Sequence, residues 1–163
     1  MRVGCNIEIG APRDLVWGYV SDPGRYLHFM QGITRWEVQG EQRVGLGSRY
    51  RMLMRVRSAE IGGLVEVIEF CEPSDLAWVS LLGIDQRGRW RLREINENRT
   101  RVEFRLAYGV AGSGLLGWAA ENIAAGTVRD NIRRSLQQLK RQVEHDQLRE
   151  AAAARRAARA GAS

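Results

Sequence analysis

Residues 87–108 read RGRWRLREINENRTRVEFRLAY. Trp90 and Leu92 alternate with Arg87, Arg89, Arg91 and Arg93, and beyond a turn at Asn96 to Thr100 the residues Val102, Phe104, Leu106 and Tyr108 alternate with Arg101, Glu103 and Arg105. A period of two describes strands with one dry face and one wet, basic face, and the short turn makes the two strands antiparallel neighbours. Upstream, Tyr50, Met52, Met54 and Val56 alternate in the same way with Arg49, Arg51, Arg55 and Arg57. Turn signals at Gly45-Leu46-Gly47, Gly62-Gly63, Pro73-Ser74-Asp75 and Gly83 to Gly88 divide Thr34 to Tyr108 into strand after strand. Such turns suit an antiparallel sheet and leave no room for helical crossovers.

The flanks differ. Residues 2–9 alternate as one more strand, with Val3, Cys5, Ile7 and Ile9 on one side. The period then becomes helical: Pro12 suits a first turn, Val16, Tyr19 and Val20 share a face, and Asp22-Pro23 ends that helix and caps a second short one through Phe29. Residues 113–145 predict one long helix, on which Trp118, Ala125, Val128, Ile132, Leu136, Leu139 and Val143 form a stripe that lies on the sheet. From Val110 to Val128 the sole charge is Glu121, so this part needs a cover or acts as a mobile lid. The Ala/Arg-rich segment 146–163 has no large apolar residue after Leu148 and reads as a solvated helical extension or a frayed tail. The organisation is one domain over 1–145 plus that tail.

Composition sets the class. With 163 residues, 44% hydrophobic and 27% charged, the chain fits one globular domain and excludes a disordered, collagenous or disulfide-stapled protein. No apolar run reaches the roughly 18 residues that span a bilayer. The net charge of +6 rests almost wholly on arginine, Lys140 being the lone lysine, a preference that a high-GC genome explains as well as nucleic-acid binding does. Cys5 and Cys71 have no metal or redox spacing, and the N-terminus has no signal-peptide core, so reduced thiols and a cytoplasmic location are expected.

Geometry then suggests a hollow. Seven strands at about 4.8 Å spacing span roughly 30 Å, whereas one helix covers about 10 to 12 Å. The sheet must curl around the helix, and an apolar space left between them is a ligand site by default. The opposing expectation is that Met52, Met54, Trp78, Trp90 and Phe104 simply fill it.

The run EIGAPRDLVWGYVSDPGRYLHFMQGI at 8–33, the antiparallel centre and SLQQLKRQVE at 135–144 resemble the START-like SRPBCC superfamily, in its polyketide cyclase/dehydrase branch, over about residues 3 to 145. The resemblance implies an α+β helix-grip fold: a curved antiparallel sheet of six or seven strands around one long C-terminal helix, with two short helices after the first strand. It also implies binding or transport of a hydrophobic small molecule or lipid in an internal cavity. It carries over no catalytic set.

The expected ligand-binding residues are Tyr50, Met52, Met54, Trp78, Trp90, Phe104, Tyr108, Trp118, Glu121 and Val128, with Glu121 as polar anchor and the candidate acid/base. Glu69 is a second, weaker carboxylate, and His28 sits in the stretch that should rim the mouth. An enzymatic alternative is a cyclase/dehydratase-type lyase that holds a polyketide-like chain folded while Glu121 or a tyrosine moves protons. A second alternative uses the basic outer sheet face for RNA, the ribosome or peripheral contact with an anionic membrane. Against the nucleic-acid reading, those strands lack exposed aromatics to stack bases, and Glu66, Glu94, Glu97 and Glu103 are placed to pair with the arginines. GSGLLG at 112–117 has the GxGxxG form but lacks the second parallel strand of a dinucleotide site, so it reads as a flexible strand-to-helix junction. With no HExxH, CxxC or phosphate loop, no metal, nucleotide or other cofactor is expected.

Overall fold

A computed structural model describes the backbone of residues 1–109 and 115–162, and the side chains of 1–109 and 126–162. The glycine-rich junction and the side chains of Trp118, Glu121 and Ala125 lie outside the described residues.

Seven strands form one sheet: β1 (Arg2–Ile9), β2 (Ile33–Gln39), β3 (Arg49–Val56), β4 (Ala59–Cys71), β5 (Asp75–Gly83), β6 (Asp85–Asn96) and β7 (Arg99–Gly109). Their spatial order is β1-β7-β6-β5-β4-β3-β2, antiparallel throughout. Between β1 and β2 stand α1 (Arg13–Val20), a 3-10 turn (Pro23–Arg25) and α2 (Tyr26–Phe29), so the two expected short helices are present. A single helix, α3 (Leu115–Gly161), follows β7. The sheet curls as a half-barrel about α3, the helix-grip arrangement.

Alternation is visible as burial. Trp90, Leu92, Val102 and Phe104 are buried between sheet and helix, and Val128, Ile132, Leu136, Leu139 and Val143 meet them as the stripe of α3. Polar contacts set the depth of the helix. Gly10 N–H donates to Glu144 Oε1 at 2.8 Å, Lys140 Nζ donates to Glu8 O at 2.8 Å, and Gln142 Nε2 donates to His28 O at 2.8 Å. The Tyr19 hydroxyl donates to Asp146, and burial together with that carboxylate pushes its pKa up to about 12 despite Arg25 stacked 4.2 Å over its ring. Past this contact, the expected tail continues as helix to Gly161, its arginines and most of its alanines exposed.

The outer face of the sheet is laced with ion pairs. Glu66 holds Arg49 across β3 and β4 at 2.7 Å, as expected, whereas Glu103 meets Arg105 within β7 and Glu94 meets Arg13 of α1 at 3.9 Å instead of a strand arginine. Glu97 has no ion pair among the described residues. Asp75 and Glu8 do more: Asp75 bridges Arg91 and Arg93 at 3.2 and 3.0 Å, and Glu8 bridges Arg99 and Arg101 at 2.8 and 3.4 Å. Burial opposes charge on Asp75, but hydrogen bonds from Arg93, Ser74 and Arg91 outweigh it and hold the carboxyl below the usual range. A depressed carboxylate contributes stability above its unfolded pKa of about 4, and that stability is lost as pH falls through the folded value. Urea unfolding should therefore show Asp75→Asn less stable than the parent at neutral pH, with the gap closing on acidification below about pH 4.

Candidate functional site

Between β-sheet and α3 the aromatic side chains pack against one another. Tyr26 and Trp36 stack at 4.3 Å, Trp36 meets Tyr50 at 5.4 Å and Trp78 edge-on at 5.5 Å, and Trp90 lies 4.3 Å from Phe104. Trp90 Nε1 donates to the Tyr26 hydroxyl at 2.8 Å, which donates to Val20 O at 2.9 Å. Burial pushes the Tyr26 hydroxyl far above its ordinary pKa, so it stays a neutral donor. The indole N–H groups of Trp36 and Trp78, by contrast, are buried without a hydrogen-bond partner among the described residues.

Where the residues are described, this packing leaves little of the expected hollow. Among the described residues the interior closes to a cavity of about 20 Å3, room for one water. The physical reason is ring volume: the sheet curls, but six aromatic side chains of β2, β3, β5, β6, β7 and α2 occupy what the curl encloses.

The cavity brings together five of the expected site residues: Met52, Met54, Trp78, Phe104 and Val128. Trp90 is fully buried behind Phe104 rather than on the wall, and Tyr50 packs on Trp36 with its hydroxyl donating to Arg43 O at 2.7 Å. Tyr108, half-buried at the end of β7, borders a separate depression near Arg2 and Gly109. The side chains of Trp118 and Glu121 lie outside the described residues. Glu69 faces outward at a register shift between Val67 and Glu69 and accepts from Arg89, so it is no part of the interior. His28 lies on the exposed side of α2.

The wall also contains residues outside the expected site: Leu106 and Ile132, which the periods had placed on the buried side, and Met30, Ile33 and Trp36, with Gln31, Gln86, Asn131 and Ser135 as its polar members. Trp36 was accessible to the period-two rule, since Thr34, Trp36 and Val38 alternate with Arg35 and Glu37. Met30 and Gln31 follow a helix end and carry no period. Ser135 is held by both sides, accepting from Gln31 N–H at 2.8 Å and donating to Asn131 O at 2.7 Å. No carboxylate, histidine or arginine lines the cavity among the described residues, and no group of three metal-ligating side chains occurs among them. No described helix is long and apolar enough to cross a membrane.

The architecture is shared with known structures. A Thermus thermophilus protein, TTHA0849, superposes with a TM-score of 0.75 at 20% identity, covering 88% of this chain and 97% of that one. The Zhui aromatase/cyclase of Streptomyces sp. R1128 gives 0.73 at 19% identity, covering 88% and 93%. A START superfamily protein of Mycobacterium smegmatis gives 0.68 at 15% identity, covering 87% and 98%. At these identities the likeness is one of fold. No curated protein matches the chain in sequence. The family model described as polyketide cyclase / dehydrase and lipid transport matches residues 2–144, nearly the whole domain. The chain therefore belongs to the polyketide cyclase/dehydrase and lipid transport family.

Proposed function

We propose that the chain binds a hydrophobic small molecule between the sheet and α3, in a space that widens from the closed cavity. One observation carries this reading. Of the four methionines in the chain, the three beyond Met1 all stand in the cavity wall, as Met30, Met52 and Met54. Unbranched thioether side chains re-pack at low cost and fill irregular gaps, so this wall adapts to a guest where leucine or isoleucine would resist. An acceptor oxygen on the guest suits a pocket bordered by two tryptophans whose N–H groups lack partners among the described residues. The cyclase alternative rests on Glu121 or a tyrosine as the group that moves protons.

Enlarging the pocket tests the reading. Met52→Ala removes a buried side chain beside an existing cavity and should cost about 2 to 5 kcal/mol while creating a dry space. Benzene, monitored by its effect on Trp36 and Trp78 fluorescence and by the rise in Tm, should bind Met52→Ala more tightly than the parent. Equal benzene affinity in the two would mean that the interior does not admit guests. Native mass spectrometry of the parent protein complements this, since a retained apolar molecule identifies the class directly.

A further inference from the structure

The outer face of the sheet, away from α3, holds a second space whose shape follows from register. Across the strands, Arg2 stands opposite Ala107, Ala107 opposite Arg87, and Arg87 opposite Val79. One row further on, Gly4 faces Arg105, Arg105 faces Arg89 and Arg89 faces Ala77. Long basic side chains thus stand beside short ones, alternating with them in the first row and flanked by them in the second. The short ones leave a depression of about 550 Å3 with Arg2, Arg87, Arg89 and Arg105 around a floor that includes Ala77, Val79 and Ala107. A second depression of about 250 Å3 shares Arg2, Arg87 and Ala107 and extends the trough to Gly109. Small-molecule sites occupy roughly 300 to 1,000 Å3, a range that the trough meets.

Charge is unevenly settled along this face. Toward Thr100 the arginines are neutralised by Asp75 and Glu8. Within the trough Arg89 is held by Glu69 and Arg105 by Glu103, but Arg2 and Arg87 have no ion pair among the described residues. They flank Ala107 at two strand spacings, roughly 10 Å between backbones, and both line the depressions that Ala107 floors. Two cations without an ion pair on either side of a small residue repel each other, Asp85 lines only the extension of the trough, and an anion between the arginines removes that cost.

We propose that this trough binds a single-chain anionic amphiphile, its phosphate-like head between Arg2 and Arg87 and its alkyl chain along Ala107, Val79, Ala77 and the half-exposed Ile68. A nucleic-acid strand fits less well: the floor is aliphatic, no aromatic ring is exposed in these rows to stack a base, and the adjoining rows are already paired with carboxylates. The floor is recessed between arginines, which suits one molecule rather than the flat surface of a bilayer. The site is distinct from the interior, from which the sheet separates it at Trp78 and Leu106.

Isothermal titration of the full chain with n-decyl phosphate and n-decanol tests the assignment. The parent should prefer the phosphate by about tenfold or more, with the preference shrinking as salt rises. The double variant Arg2→Glu/Arg87→Glu should lose that preference while its Tm stays near the parent's, because both side chains are exposed. Ala107→Leu, which fills the floor, should weaken decyl phosphate without touching either charge. The proposal is overturned if the parent shows no preference, if charge reversal leaves the preference intact, or if the two arginines instead control retention of RNA by a protein that ignores decyl phosphate.

Discussion

Trp90→Ala is expected to lower the stability of the domain by about 3 to 5 kcal/mol, a fall in Tm of roughly 10 °C or more. The indole is fully buried, 4.3 Å from the Phe104 ring and edge-on to Phe29 at 6.1 Å, so its removal leaves a void that rigid rings on both sides collapse into poorly. It also carries the one hydrogen bond that ties β6 to the Tyr26 hydroxyl. Trp90→Phe separates the two contributions. It keeps most of the volume and loses the donor, and should cost only about 1 to 2 kcal/mol. Differential scanning calorimetry of the pair decides: similar losses for both variants would mean that the hydrogen bond, not the packing, is the larger part. Either variant reaches the cavity only through Phe104 and Trp78, so ligand affinity should change less than stability does.

Gly63→Ala should be as damaging for a different reason. A Cβ on Gly63 would lie 1.9 Å from Leu82 O, and one on neighbouring Gly62 would lie 2.1 Å from Met52 O. Both obstacles are backbone, so no side-chain rotation relieves them. The β3–β4–β5 seam has to part, and the loss is expected at or above the roughly 3 kcal/mol that ordinary substitutions reach. The contrast is Gly88, whose missing Cβ would lie 2.0 Å from the Trp78 ring, an obstacle made of side chain rather than backbone. Hydrogen exchange on Gly63→Ala should show amides of β3, β4 and β5 losing protection ahead of those of β1 and β7. Uniform protection across the sheet would show that the seam closes around the methyl group after all.

These features differ in how far the sequence announced them. The alternations about Trp90 and Phe104 and the stripe from Val128 to Val143 follow from local periods, and each places its residues on the buried side. The run of turn signals and the long helix pointed to an antiparallel sheet beside one helix, and the resemblance to the START-like superfamily implied the helix-grip fold. Cavity size was not legible in the same way, because it depends on how Tyr26, Trp36, Trp78 and Phe104 fit together across four elements. Sheet width says nothing about that fit. Glu69 was ambiguous for a related reason: a register shift reverses the facing of everything beyond it, and no period reveals the shift. Asp75, read as part of a turn, became the partner of two arginines only once β5 lay beside β6. The trough on the outer face likewise required β1, β7, β6 and β5 in register, since Arg2 and Arg87 are distant in sequence.

The length of α3 has a mechanical consequence. Beyond Asp146, where the Tyr19 hydroxyl fastens the helix to α1, it runs on to Gly161, and at about 1.5 Å per residue that stretch is roughly 22 Å long. The molecule is thus a ball with a rigid spar, and its tumbling in solution is anisotropic. Rotation about the spar is faster than rotation end over end, so amide vectors along α3 and those across the strands reorient on different clocks.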